Sequence, residues 1–324
     1  MPTVLTYSQA YREGVAEEMA ANEKIFIMGT DIVLRGGHFA QVFGLGEKFG
    51  ASRVRDVPIS EAAMLAAGVG SAVCGMRPIV DLNFLDFSFG GMDEICNQAA
   101  KMSYMFGIQV PLLIRATNGI ALGGAQHNNA IESWFAEMPG LNVVMPSNPG
   151  DIKALIKSSL RMNDPVLFLM HKALSGLRGA VGGPDDVIPL GQANISRPGH
   201  HVTIVTYGVN VAKCLEAAER LAADGIEAEV IDLRTLYPLD RETVVESVRK
   251  TGRAMMVDES PAYGGVSAEM VASIQEAAFD YLDAAVVRIT APHAPVPNSP
   301  ALLSAILPNS AIIEAAARKL VDVA

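Results

Sequence analysis

The sequence predicts an α/β protein made of two doubly wound domains, and three observations carry that prediction. Short β-rich runs alternate with helical stretches along most of the chain, the pattern of parallel sheets covered by helices. That alternation stops between Gly176 and Gly191, where sixteen residues (GLRGAVGGPDDVIPLG) hold five Gly and two Pro, a linker composition. The 324 residues are 50% hydrophobic yet only 6% aromatic, so small aliphatic side chains build a large core. At roughly 100–200 residues per domain, this length predicts two domains. The boundary is expected near residue 185, giving domains 1–185 and 186–324.

Each element follows from local pattern. Tyr11, Val15 and Met19 fall at i, i+4 and i+8 of an amphipathic helix, and 24–28 (KIFIM) reads as the strand after it. A helix is predicted over 62–75, a strand over 78–82 (PIVDL), and a helix carrying Met92, Ile95, Ala99, Met102 and Phe106. Strands follow over 111–115 (PLLIR) and 142–145 (NVVM). Ser147-Asn148-Pro149 then supplies a cap and an N-terminal proline for a helix over 149–162, and 165–169 (PVLFL) is the next strand. Beyond the linker a second series begins. Strands are predicted over 202–207, 228–233 and 254–257, with helices over 212–223 and, opened by Asp240, over 241–250.

Composition excludes several classes of function. With 25 Lys+Arg against 35 Asp+Glu and a pI near 5.1, neither nucleic acid nor an anionic membrane is expected as a partner. Cys74, Cys96 and Cys214 are an odd, scattered set, which suggests neither a disulfide framework nor a zinc site. The start, MPTVLTYSQAYREG, lacks the apolar run of a secretory signal, so a cytoplasmic location is expected. The fifteen uncharged residues 62–76 fall short of the ~20 needed to span a bilayer and read as a buried core helix.

The common solutions of a parallel α/β sheet are absent. Gly68-Val69-Gly70 has Val73 where a dinucleotide fingerprint needs its third glycine, and 44–50 (GLGEKFG) lacks the Lys-Ser/Thr of a P-loop. Neither G-x-S-x-G nor H-E-x-x-H occurs. What remains is Ser60-Glu61 at the head of a very apolar helix. Ser60 reads as a cap and Glu61 as a complement to the positive helix end. Alternatively, Glu61 is a carboxyl group in an apolar site, poised to share a proton with a ligand nitrogen. Residues 82–89 (LNFLDFSF) hold three of the eleven Phe, as core or as a stacking platform for a flat heterocycle. His127 ends the glycine-rich loop 119–129, a place where function often sits. His38 lies beside Gly36-Gly37 in what reads as a loose loop, and His200-His201 follows a Pro-Gly turn toward the surface.

Taken together, RVRDVPISEAAMLAAGVGSAVCGMRPIV, NQAAKMSYMFG, AQHN, MPGLNVVMPSNPGDIKALIKSSLRMNDPV, VIDLRTLYPLD, SVRKTGR and APHAPVPNSP carry a family resemblance that runs nearly end to end. The chain resembles the β-subunit of the thiamine-diphosphate-dependent first component of 2-oxoacid dehydrogenase complexes, a family that includes pyruvate, branched-chain 2-oxoacid and acetoin enzymes. The resemblance implies a pyrimidine-binding α/β domain followed by a transketolase-type C-terminal domain. It implies that Glu61 hydrogen-bonds the aminopyrimidine and promotes deprotonation of the cofactor, and that Phe87 packs on the ring with Leu82 and Asn83 nearby. His127 corresponds to the histidine that meets substrate intermediates or the lipoyl acceptor. Leu112, Leu160, Met162 and Asp164 fall where some relatives hold potassium, largely through main-chain carbonyls.

The Gly-Asp-Gly…Asn-Asn motif for magnesium and diphosphate does not occur in the sequence. The resemblance places it on an α-subunit, which implies an α2β2 heterotetramer in which the α-chain holds Mg2+. It implies as a further partner the lipoyl-bearing acyltransferase component, and as substrate a 2-oxoacid or acetoin. Departures bear on that substrate: His127-Asn128-Asn129 stands where relatives commonly read His-Ser-Gln, Gly90 where pyruvate enzymes have a larger polar residue, and Leu174-Ser175 where they have Leu-Tyr. Met105-Phe106-Gly107, Val257-Asp258-Glu259 and residues 291–300 resemble the acetoin branch most. A split transketolase or another two-subunit carboligase is the alternative within the same chemistry, and a non-catalytic assembly subunit the alternative outside it.

Overall fold

The computed structural model describes residues 3–121 and 123–322; Leu122, inside the glycine-rich loop, lies outside the described residues. Contacts divide the chain into two units, Met1–Asn118 with Trp134–Leu190, and Gly119–Ser133 with Gly191–Ala324. The loop segment 119–133, which chain order would give to the first unit, is thus part of the second.

In chain order the first unit contains β1 (Thr3–Thr6), α1 (Tyr7–Ala21), β2 (Ile25–Gly29), α2 (Leu45–Phe49), β3 (Val54–Asp56), α3 (Glu61–Val73) and β4 (Arg77–Phe84). A 3-10 segment, Leu85–Gly91, and a π-helical segment, Glu94–Ala99, lead into α4 (Ala100–Phe106). Then come β5 (Leu113–Asn118), the short α5 (Glu132–Ala136), whose first two residues belong to the second unit, β6 (Asn142–Val144), α6 (Pro149–Arg161), β7 (Val166–His171) and β8 (Arg178–Val181). The parallel strands run in the order β6-β7-β5-β4-β2-β3. Strands β2, β5 and β7 are buried along their whole length, as the continuous apolar runs require.

Local chemistry explains the helix starts. Thr6 and Gln9 form a reciprocal capping box on α1, and Asn148 caps α6 by accepting from the Asp151 N–H at 2.9 Å. Ser60 differs from expectation: its side chain makes no capping hydrogen bond to α3. The helix expected across 92–106 begins instead as a π-helical turn, because the Asp93 carboxylate accepts from both Asn97 (2.6 Å) and Gln98 (3.2 Å) and so favours a wider turn. The linker composition also hides a strand. Within it, β8 pairs antiparallel with β1, since ladder hydrogen bonds come from the backbone and glycine supplies them.

Helix α3 is buried on one face only, through Met64, Leu65, Gly68, Val69 and Ala72. Ala62, Ala63, Ala66, Ala67 and Gly70 are exposed, so this is not the fully buried helix that its composition suggests. Gly68 lets it lie close on the sheet, since a Cβ there would come within 2.6 Å of Val80 Cγ2.

The second unit contains β9 (Asn194–Arg197), β10 (Val202–Thr206), α7 (Asn210–Ala222), β11 (Ala228–Asp232), β12 (Thr235–Tyr237), α8 (Arg241–Thr251), β13 (Ala254–Pro261), α9 (Val266–Ala278), β14 (Val287–Ala291), α10 (Pro300–Ile306) and α11 (Ser310–Val321). Its sheet runs β14-β13-β10-β11-β9, with β9 the antiparallel edge. Cys214, Ala217, Leu221, Ile313 and Ala317 from α7 and α11 cover Val202, Ile204, Val230 and Met255 of the sheet. Burial pushes the Cys214 thiol up to about 12, so it serves as an inert apolar filler. Among the described residues, one stretch, Pro300–Val321, has the length and composition of a membrane span. It is two helices parted at Leu307–Asn309, and Ile313, Ala317 and Leu320 face the core.

Candidate active site

In parallel α/β sheets ligands bind beyond the carboxyl ends of the strands, and in the first unit those ends carry most of the predicted residues. Asp81 and Arg115 form a fully buried ion pair at 3.1 Å. Asp81 Oδ2 also accepts from Gln41 Nε2 at 2.9 Å, and its Oδ1 from the Asn83 N–H at 3.0 Å. Arg115 in turn donates to Thr117 Oγ1 and the Asn83 carbonyl. Asn83 adopts φ 61°, a left-handed conformation that costs on the order of 1 kcal/mol outside glycine. The buried network holds it there and thereby turns the chain from β4 into Leu85–Gly91.

That turn presents two aromatic rings. Phe84 and Phe87 pack edge to face with centroids 5.8 Å apart, and both remain partly exposed. Leu82, two residues before Phe84, is 2% exposed and serves the core beneath them. At the other end of the segment, a Cβ on Gly91 would lie 2.3 Å from Leu65 Cδ1 and 3.5 Å from the Glu61 carbonyl oxygen. A side chain at Gly91 would therefore force the Leu65 side chain to move where the aromatic segment meets α3. The backbone of Glu61 thus lies against the Gly91 end of the segment Leu85–Gly91, which carries Phe87 and begins just after Asn83. Glu61 is half-buried rather than enclosed, with Ile59 beside it 78% exposed.

His127 belongs to the second unit. Segment 119–133 is anchored there by the Ile120 N–H to Glu259 Oε1 at 3.3 Å, and Ile120 and Ala130 pack with Leu303. Asn128 folds the loop on itself, its Oδ1 accepting from the Ala121 N–H (2.8 Å) and its Nδ2 donating to the Gly124 carbonyl (2.6 Å). This departure from the common His-Ser-Gln therefore has a structural role that no spacing in the sequence announces.

Sequence reasoning also missed the acid cluster beneath that loop. Strand order reverses between β10 and β13, and there the Tyr207 hydroxyl lies 2.8 Å from Glu132 Oε1 and 2.7 Å from Asp258 Oδ1. One hydroxyl carries one hydrogen, so two ionised carboxylates cannot both be served by it. Burial raises the Asp258 acid above the usual carboxylate range, against the hydrogen bonds from Ser260, Tyr207 and Ser267 that pull it down. The folded state thus holds this proton more tightly than the unfolded chain. Its contribution to stability is complete below the ordinary carboxylate value and is lost as pH rises through the raised one. Asp258→Asn keeps a polar partner and removes the titration. Melting temperatures followed from about pH 4 to 8, across the carboxylate range and above it, should fall less steeply for the variant. Parallel curves would show that no proton is held there.

Of the four residues assigned to potassium, Leu160, Met162 and Asp164 lie at or just past the C-terminal end of α6, and Leu112 lies just before β5. The carbonyls of Leu160 and Met162 both accept from Arg77, and that of Leu112 accepts from the Val166 N–H at 2.9 Å. Each carbonyl keeps one further lone pair; Asp164 is exposed. Among the described residues there is no cluster of three or more His, Cys, Asp or Glu side chains suited to a metal.

Comparison with known proteins now gives this architecture its class. Residues 3–176 match the transketolase pyrimidine-binding domain and residues 191–313 the transketolase C-terminal domain. A solved split-gene transketolase, described as an inactive beta4 tetramer, superposes with a TM-score of 0.79 at 26% identity, covering 98% of this chain and 99% of that one. The acetoin:2,6-dichlorophenolindophenol oxidoreductase β-subunit of Cupriavidus necator is 44% identical, over 98% of both chains. The 2-oxoisovalerate dehydrogenase β-subunit of Bacillus subtilis is 40% identical over 99% of both. The pyruvate dehydrogenase E1 β-subunit of Rhizobium meliloti is also 40% identical, over 95% of this chain and 68% of that one. The chain belongs to this family, the β-subunits of thiamine-diphosphate-dependent 2-oxoacid and acetoin dehydrogenases.

Proposed function

We propose that the chain supplies the pyrimidine half of a thiamine-diphosphate site in a 2-oxoacid or acetoin dehydrogenase, acting with an α-subunit in an α2β2 heterotetramer. The observation that carries this reading is the packing of the Glu61 turn of α3 against Gly91, at the end of the segment that presents Phe87. The residues fit the cofactor's pyrimidine: an acid for a ring nitrogen, a partly exposed aromatic face to lie against, and open space at Gly90, where a Cβ would meet nothing within 4 Å. When bound, thiamine diphosphate supplies the nucleophilic carbon and the electron sink of the reaction. Glu61 holds a proton at that ring nitrogen, Phe87 fixes the plane of the ring, and the rigid turn at Asn83 keeps both in register. His127 moves a proton to or from the substrate, or meets the lipoyl group of the acyltransferase partner that accepts the acyl product.

The half-site reading draws support from the open surroundings of Glu61. Ile59, Val73 and Met76 are exposed beside the alanine face of α3, and Tyr104 and Phe106 on α4 are 94% and 63% exposed. Exposed apolar side chains such as these suit an interaction face, which the α-subunit covers while contributing Mg2+ and the diphosphate contacts. Potassium is assigned to the free lone pairs of the Leu112, Leu160 and Met162 carbonyls together with Asp164. A cytoplasmic location completes the reading. A split transketolase would need basic groups for a sugar phosphate, and Arg115 is consumed by Asp81.

Co-expression with an α-type chain, followed by thiamine-diphosphate-dependent dye reduction over 2-oxoacids and acetoin, tests the function. Turnover is expected only in the complex. An isolated chain that bound the cofactor and turned over alone would overturn it.

A further inference from the structure

His127 closes a single 3-10 turn, Ala125–His127, which follows Gly123 at φ 147° and Gly124 at φ 71°. Glycine visits such conformations without steric cost, and by the same freedom it leaves them easily. The Gly124 carbonyl accepts from the His127 N–H at 3.4 Å and from Asn128 Nδ2 at 2.6 Å. One carbonyl therefore ties the backbone of the histidine to the side chain of its neighbour. Asn128 Oδ1 reaches back across the loop to the Ala121 N–H at 2.8 Å. The Asn128 side chain is 1% exposed, so water does not compete for these bonds. A Cβ on Gly123 would lie 3.2 Å from Asn128 Nδ2 and 3.8 Å from His127 Cβ, which shows how closely the turn is folded over the amide.

The other anchors of this segment lie at its base. Ile120 donates to Glu259, Ile120 and Ala130 pack with Leu303, and Glu132 lies against the Tyr207 hydroxyl. Toward the tip, Gly123, Ala125 and Gln126 are exposed and supply little packing. The buried amide of Asn128 spans that part of the loop instead.

We propose that Asn128 is the positioning residue of His127. Its two hydrogen bonds across the loop hold the turn that carries the imidazole, so the step served by His127 depends on Asn128 while substrate and cofactor binding do not. An amide suits the task because it offers an acceptor to one backbone N–H and a donor to one backbone carbonyl. Aspartate has the same shape but, when ionised, only acceptors, and would turn an oxygen toward the Gly124 carbonyl. A group displaced by about 1 Å can lose on the order of 10²-fold in rate. This inference rests on the role proposed for His127 above.

The test uses the αβ complex with Asn128→Ala, Asn128→Asp, His127→Ala and the double variant His127→Ala with Asn128→Ala. Assembly, melting temperature and calorimetric binding of thiamine diphosphate with Mg2+ are followed for each. Turnover of the substrate that the wild-type complex uses best is read by dye reduction and by reductive acylation of a lipoyl domain, and His127→Ala identifies the step concerned. In that step each Asn128 variant should lower kcat by about tenfold or more, with KM and cofactor Kd within about twofold of wild type. In the His127→Ala background, Asn128→Ala should cost less than about twofold more, because a residue that acts through another adds nothing once the other is gone. If Asn128→Ala fails to assemble, the near-isosteric Asn128→Asp and its pairing with His127→Ala carry the same comparison. A near-normal kcat, a change confined to KM, or an undiminished loss in the double variant would each overturn the proposal. If His127→Ala is slow while both Asn128 variants are normal, only the positioning role fails. If His127→Ala is normal in both assays, the role of His127 fails and the positioning role with it.

Discussion

Glu61→Gln in the assembled α-type complex should lower turnover by about 10²–10⁴-fold, the range lost with a positioned proton-transfer group, without unfolding the chain. The substitution keeps size and hydrogen-bonding capacity but removes the acid. Among the described residues Glu61 makes no ion pair that the change would break; its first-turn position contributes through the positive helix end, worth about 0.3–1 kcal/mol. Circular dichroism and melting should therefore remain close to wild type while dye reduction collapses. If Glu61 merely complements the helix end, activity would survive, and near-normal turnover would sink the mechanism.

Arg115→Leu should be the most damaging single change to stability in the first unit. The guanidinium is fully buried against Asp81, and removing one partner of such a pair leaves an uncompensated charge in a low-dielectric interior. The expected cost is about 3–5 kcal/mol, a fall in melting temperature on the order of 10 °C. Because Asp81 also receives Gln41 and the Asn83 N–H, the damage should spread to the Phe84–Phe87 platform and the His38 loop. The double variant Arg115→Leu with Asp81→Leu, which replaces both charges by apolar groups, should recover a large part of the loss. If the double variant is no more stable than Arg115→Leu alone, the pair is not the source of the cost.

Fold class was legible because helical and strand periodicity depends on local composition, and the buried strands read as unbroken apolar runs. Glu61 and Phe87 are singled out only through segments that resemble a known family; composition alone favours a helix-end acid and a core aromatic. The alanine face of α3 shows why. A run such as EAAMLAAGVGSAV reads as buried whether its partner is the same chain or another one. Other features could not be read because their cause is long-range. The π-helical turn depends on where Asp93 points, and β8 depends on a partner strand at the opposite end of the unit. The role of Asn128 depends on hydrogen bonds whose partners carry no motif. Tyr207, Glu132 and Asp258 meet only through topology.

That last cluster bears on how the molecule is made. Strand β5 ends at Asn118 and β6 begins at Asn142, yet the arm between them finds its hydrogen-bond partners 75 residues later at Tyr207 and 139 residues later at Glu259. On a ribosome adding about 5–20 residues per second, strands β2 to β7 are all made while this arm still waits for its support. His127 is therefore set in place late, when β13 arrives. A chain truncated before Ala254 would leave the synthesis machinery with the Phe84–Phe87 turn built and its histidine arm undocked.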